Sequence, residues 1–161
     1  MKTPTILATT LFLFSCGQAM STFPKIQENR VHPPVTGNQI LFARCSSQGL
    51  EQEFRIFIAE PDAGDDTFIY WYFDFNPDTG SVNSRPFFQE TFSTQQPVRE
   101  ASPALVPRAW IEGVSPTATH IVEVLVTEFA SPGSQAYLDF LEGARFDYFY
   151  WRVALDQASC F

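Results

Sequence analysis

Residues 54–75, FRIFIAEPDAGDDTFIYWYFDF, restrict the fold of this 161-residue chain more than any other stretch. Phe54, Ile56 and Ile58 recur at every second position, with Arg55 between the first two. That is the period of a strand with one buried face. Glu60-Pro61-Asp62-Ala63-Gly64-Asp65-Asp66 then stops the strand. Proline lacks a backbone donor, glycine admits positive φ, and short carboxylates bond nearby N–H groups. The next segment, 67–75, is apolar on both sides: Ile69, Trp71, Phe73 and Phe75 point one way, and Phe68, Tyr70, Tyr72 and Asp74 the other. Such a strand is either central and covered on both faces or carries an exposed aromatic patch. Asn76-Pro77-Asp78-Thr79-Gly80 closes it with a second turn.

The remaining periodic segments are also strand-like. A first strand is expected over 39–45, with Ile40 and Phe42 in phase, and a short edge strand over 85–92 followed by a polar loop. Pro107 confines a further strand over 104–111 to an edge, with Trp110 packed inward. The regular alternation of 120–129 puts Val122, Val124 and Val126 on one face and Ile121, Glu123, Leu125 and Thr127 on the other. The last strand, 145–155, sets Phe149, Trp151, Val153 and Leu155 against Phe146, Tyr148, Tyr150 and Arg152. Between these two, Tyr137, Leu138 and Leu141 have helical spacing after Ser134, and Gly143 is a stop signal. The expectation is an all-β fold with a short helix inserted before the last strand.

The run E-P-D-A-G-D-D-T-F-I-Y-W-Y-F-D-F resembles the B–turn–C region of PKD-type and related immunoglobulin-like domains, where a D-P-D-x-G-D-x-L turn precedes an aromatic strand. Residues 119–128, THIVEVLVTE, are similar to the H-x-V-x-V-x-V-x-D strand of the same domains. The arrangement also looks like that of small Ig-like lipoproteins from bacteria, which as a group have no assigned activity. Position 60 is Glu where the family has Asp, and Glu128 stands at the usual terminal Asp. The resemblance spans roughly residues 39–160. It implies an Ig-like antiparallel β-sandwich of about seven strands over 39–161. First and last strands can pair in parallel in such a sandwich. That would bring Cys45 and Cys160 together as a disulfide; the alternative is two free, buried thiols.

Residues 1–20, MKTPTILATTLFLFSCGQAM, have one Lys, an apolar run and then small residues. They read as a secretory signal peptide, too short to span a membrane. Leu13-Phe14-Ser15-Cys16-Gly17 looks like a lipobox, with Phe14 larger than the pattern. Cys16 is then the lipidation site, and the protein is held at a membrane by a lipid anchor. Gly17 is compatible with outer-membrane sorting in the bacterial envelope. The alternative is cleavage after Ala19 and a secreted product. Residues 21–38, with Pro24, Pro33, Pro34 and Gly37, read as a tether.

The net charge of −8 argues against nucleic acid as a partner and against charge-driven docking on anionic lipid. Two distant histidines and three cysteines make no zinc spacing, and neither a phosphate loop nor G-x-S-x-G is present. Asp62, Asp65 and Asp66 are weak calcium candidates that Asx turns explain better. No cofactor is expected. Tyr70, Tyr72, Tyr148 and Tyr150 fall on the second faces of their strands. They form a candidate binding face if those strands are neighbours; the alternative is that the helix over 134–142 and the loop over 80–100 cover them. The reading is a non-catalytic, envelope-anchored module that contacts a protein partner, or alternatively a carbohydrate-binding module using that aromatic face.

Overall fold

The computed structural model describes residues 24–32, 40–59, 66–76, 82–93, 98–130, 137–138, 140, 142 and 146–161. Among the described residues, eight strands form two sheets. They are β1 (Lys25–His32), β2 (Leu41–Ala43), β3 (Glu53–Ala59), β4 (Asp66–Phe73), β5 (Phe88–Ser93), β6 (Val98–Glu100), β7 (Thr119–Thr127) and β8 (Asp147–Leu155). One sheet has the order β1-β3-β6 and the other β2-β8-β7-β4-β5; together they make an all-β sandwich, not a closed barrel.

The core follows from the alternation. Phe54, Ile56 and Ile58 of β3 are buried against Ile69, Trp71 and Phe73 of β4, Val122, Val124 and Val126 of β7, and Trp151, Val153 and Leu155 of β8. Trp71 and Trp151 stack at 5.7 Å, and Phe54 meets Trp151 at 5.2 Å. Burying each such side chain is worth roughly 1.5–3 kcal/mol. These residues fill the space between the layers and hold β4 and β7 at the centre of the larger sheet. The central position expected for the 67–75 strand is therefore met.

β2 and β8 pair in parallel, with Leu41 opposite Val153 and Ala43 opposite Leu155. Just beyond them, Cys45 and the helical turn Gln157–Cys160 meet in a disulfide whose Cα atoms are 4.8 Å apart. It closes a sequence separation of 115 residues, worth on the order of 4–5 kcal/mol in the chain-entropy account. Gly49 lets the hairpin that follows β2 cross the chain at 106–108: its φ is +146°, and a Cβ there would sit 2.0 Å from the Val106 carbonyl oxygen.

Four expectations are corrected. Residues 25–32, read as part of a tether, form β1, an edge strand paired antiparallel with β3. Its sequence KIQENRVH has only Ile26 and Val31 as apolar residues, so period-2 patterning is invisible. The strand is held by the β3 ladder, by Ile26 packing on the core, and by the Ile26 N–H donating to Asp147 Oδ2 at 2.6 Å. The loop expected after residue 92 contains β6, whose Glu100 accepts from Arg55 at 3.1 Å. The 104–111 strand is cut short at Pro107. Ala104 exchanges both backbone hydrogen bonds with Phe54, and Arg108–Ile111 then turn into a helix. Phe75 joins the opposite face from Phe73, because Asp74 takes φ +46° and reverses the alternation. The helix expected before the last strand is represented by helical Tyr137, Leu138 and Phe140.

Candidate functional site

The tyrosine face divides into a covered and an uncovered half. Tyr70 and Tyr72 of β4 and Leu125 of β7 form a second buried cluster, with Tyr137, Phe140, Phe75 and Tyr148 packed around it. Tyr72 meets Phe75 edge-on at 5.0 Å and Tyr137 edge-on at 5.1 Å. Phe75 and Tyr137 stack at 4.0 Å, and Phe140 stacks on Tyr148 at 5.1 Å. Tyr70 and Tyr72 are therefore core residues, and the binding platform expected of Tyr70, Tyr72, Tyr148 and Tyr150 does not form. The strands are not neighbours as that platform requires, since β7 lies between β4 and β8, and the helical residues before β8 pack on the tyrosines of β4. Tyr148 is half-buried, and Tyr150 alone of the four is exposed.

Beneath this cover lies a carboxylate. Glu123 of β7 is 6% exposed, and its Oε1 accepts hydrogen bonds from Tyr137 at 2.9 Å and Tyr148 at 2.8 Å. Burial pushes the Glu123 carboxyl above its ordinary range, and the two hydroxyls pull partly the other way. Burial beside that carboxylate pushes both phenols up as well, so they remain protonated donors. The group joins the cover to the sheet. Its sequence signal was present, since Glu123 is the one charged residue inside IVEVLVT.

A second polar constellation ends β4 and begins β7. Asp74 Oδ1 accepts from the Ile121 N–H at 2.8 Å, and the Asp74 N–H donates to the Ile121 carbonyl at 2.9 Å. Asp74 Oδ2 bonds His120 Nδ1, and His120 Nε2 faces the Ser115 carbonyl at 2.9 Å. The imidazole is 2% exposed and stacks on Phe73 at 5.5 Å. Neither a carboxylate nor a carbonyl can donate, so both ring nitrogens carry protons and His120 is an imidazolium. The Asp74 carboxylate, first as hydrogen-bond partner and then as charge, holds its pKa above the ordinary range despite burial; the Ser115 carbonyl adds to this. Asp74, Asn76, Asn83, Ser115, Thr119 and His120 line an open pocket of about 440 Å³. With both nitrogens engaged, the ring works as a clasp between strand and turn. The Ser115 hydroxyl lies by Thr117 Oγ1 at 3.4 Å. This Asp–His contact joins residues 46 apart. It was missed because a strand-end aspartate and a strand-start histidine meet only once the β4–β7 register is known.

Of the other sequence candidates, Cys16, Asp62 and Asp65 lie outside the described residues. Asp66 is exposed and accepts a hydrogen bond from Ser93 Oγ. Among the described residues, no group of three or more His, Cys, Asp or Glu side chains could hold a metal ion, and no helix is long and apolar enough to cross a membrane. Cys45 and Cys160 are joined.

The uncovered half of the same sheet face has a different make-up. Phe42 of β2 is 78% exposed and lies across from Ala154 of β8, which pairs with Thr119 of β7. One row along, Arg152 pairs with Ile121, which is 36% exposed, and Ile40 precedes β2 on the same side. Tyr150, 48% exposed, borders the covered half opposite Glu123. The pattern of burial along 41–45 alternates, so exposed Arg44 shares the face of Phe42.

The charges on this face are unlike the rest. Lys25, Arg30, Arg55, Arg99 and Arg108 each meet a carboxylate, and Arg85 lies 5.7 Å from the centre of the Trp110 ring. Among the described residues, only Arg44 and Arg152 have neither partner. Both sit on the uncovered face.

No protein-family model matches the chain, and comparison with curated proteins finds no match.

Proposed function

We propose that the chain is a non-catalytic, envelope-anchored Ig-like module that contacts a protein partner through the uncovered half of its five-stranded sheet. One observation carries this reading. Ile40, Phe42, Ile121 and Tyr150 are all exposed on one sheet face, while the equivalent positions of the other half are sealed by the chain's own aromatic side chains. Exposed apolar side chains gathered on one sheet face mark an interaction site more often than they are left to water. The His120 clasp supports a non-catalytic role, because its ring nitrogens are spent on structure. Anchoring rests on the sequence of residues 1–20, where Cys16 follows a lipobox-like run. A disulfide-closed domain agrees with an oxidising compartment.

The test is a photo-crosslinking amino acid placed at position 42, and separately at position 91 on the other edge strand, in the full chain expressed in its native envelope. A discrete protein adduct from position 42 and none from position 91 is the expected result. Adducts from both positions, or from neither, would overturn the reading. Intact mass of the mature chain checks the anchor: diacylglyceryl and acyl groups are expected on Cys16, and a chain beginning at Met20 would remove it.

A further inference from the structure

We infer that the uncovered face pairs with the same face of a second copy of the chain, Phe42 against Phe42, with Arg152 of each copy meeting Glu51 of the other. This rests on the interaction-module reading above and names the partner.

The geometry starts from Glu51. Its N–H donates to the Arg44 carbonyl at 2.9 Å, and Cys45 bridges Leu50 antiparallel. Residues 44 and 51 therefore stand side by side, with Glu51 on the outer side of β2. Glu51 is exposed between buried Leu50 and buried Gln52, so its side chain shares the face of Phe42 and Arg44. On the inner side of β2, the β8 register sets Phe42 beside Ala154, and by the same register Ile40 beside Arg152. Arg152 is thus one strand inward from Phe42, level with the residue two before it. Glu51 is one strand outward, level with the residue two after it. With strands ~4.8 Å apart and a rise of ~3.4 Å per residue, each lies about 8 Å from Phe42, in opposite directions.

That arrangement is self-complementary. A half-turn about an axis lying in the face, through Phe42 and perpendicular to the Arg152–Glu51 line, exchanges the two ends of the line. Phe42 then falls on Phe42, Arg152 on Glu51 and Glu51 on Arg152, which is an isologous contact. Among the described residues, neither Glu51 nor Arg152 has an ion pair, and Phe42, at 78%, is the most exposed of the large apolar side chains. Pairing covers the ring and gives each charge its opposite in a charge-assisted contact. Glu51 is then flanked by its own neighbour Arg44 and by Arg152 of the second copy. Unmatched charges of both signs, set evenly about the most exposed ring, need no third chain to match them.

The patch is small. It is three strands wide and roughly 15 Å by 20 Å, well under the roughly 800 Å² a side of a standard interface. Copies free in dilute solution therefore pair weakly. A lipid anchor confines them to one membrane and raises their effective concentration. A two-fold axis along the membrane normal sends both chain starts to that same membrane.

The test is the photo-crosslinking residue at position 42 in the full chain, anchored in its native envelope, with the adduct identified by mass. The expected adduct has twice the mass of the mature chain. Arg152→Glu and Glu51→Arg should each lower its yield about tenfold, because two attractions become repulsions. The chain carrying both changes should regain the yield, since the reversed charges meet again; that rescue separates loss of pairing from loss of folding. A yield indifferent to both single reversals, or one lost in the singles and not regained in the double, would overturn the pairing. An adduct with a different protein leaves the module reading standing and sinks the self-pairing alone. No adduct from position 42 of the otherwise unaltered chain sinks both.

Discussion

The two halves of one sheet face share strands β7 and β8 and the same alternation, and they end in opposite states. Around Tyr70, Tyr72 and Leu125, the chain returns over the sheet and seals it with Tyr137 and Phe140. Phe42, Ile121 and Tyr150 stay exposed. The covered half is held by dry packing and a buried carboxylate with two hydroxyl partners. The uncovered half, with an edge strand of only three residues, is held by a covalent bond next to that strand. Strand periodicity alone does not fix what a sheet face does; the segment that crosses it does.

The largest break in this comparison comes from removing the covalent support. Replacing Cys45 and Cys160 together by Ala should cost on the order of 4–5 kcal/mol in urea unfolding. Within that loss, amide exchange should speed up in β2 before it does in β4. Next comes a paired truncation across the seam. Tyr72→Ala, which empties the covered cluster, should cost about 3–5 kcal/mol. Phe42→Ser on the uncovered half should change stability by less than about 0.5 kcal/mol. Similar losses at both positions would mean that the two halves are not energetically distinct.

Glu123 sharpens the contrast further. Glu123→Ala leaves two buried hydroxyls without an acceptor and should cost about 1–3 kcal/mol. Glu123→Gln keeps an acceptor oxygen. The folded-state pKa of Glu123 is raised, so the native chain holds this proton more tightly than the unfolded chain does. Its contribution to stability therefore falls as pH rises from the ordinary Glu range through the folded value. Chemical denaturation across that window should show the decline in the native chain and a flatter profile in Glu123→Gln.

The smallest expected effect is at the turn that divides the halves. Asp74 sends Phe75 to the covered side, and the His120 imidazolium holds Asp74 in place. The pKa of His120 is also raised. Its stabilisation is complete below the unfolded value of about 6.5 and is lost as pH climbs through the folded value. His120→Gln should remove that slope. Nitrogen NMR of the native chain below the transition should show both ring nitrogens protonated.

Much of this was legible in the chain. The alternation at 54–58, 69–73, 122–126 and 149–155 placed the core strands and their inward faces, because burial on a strand repeats every two residues. The Cys45–Cys160 disulfide was expected only through the resemblance, in which first and last strands pair in parallel, with two free thiols as the alternative. β1 was not legible. Its polar residues carry no period, and it forms because the edge of β3 offers a ladder and Asp147 offers an acceptor. The cover over Tyr70 and Tyr72 was one of two readings, from a helix over 134–142, but alternation alone did not decide between it and an open face. Asp74 and His120 were each visible, but not as neighbours.

The disulfide also has a mechanical meaning. Cys45 and Cys160 stand 115 residues apart in sequence and 4.8 Å apart in space. Tension entering the backbone ahead of Cys45 and leaving beyond Cys160 runs through two sulfur atoms and bypasses the loop between them. Drawn out, that loop would add about 400 Å of chain. In the oxidised protein none of this length can be released by such a pull; of the strands, only β1 and β2, which precede Cys45, can be peeled away.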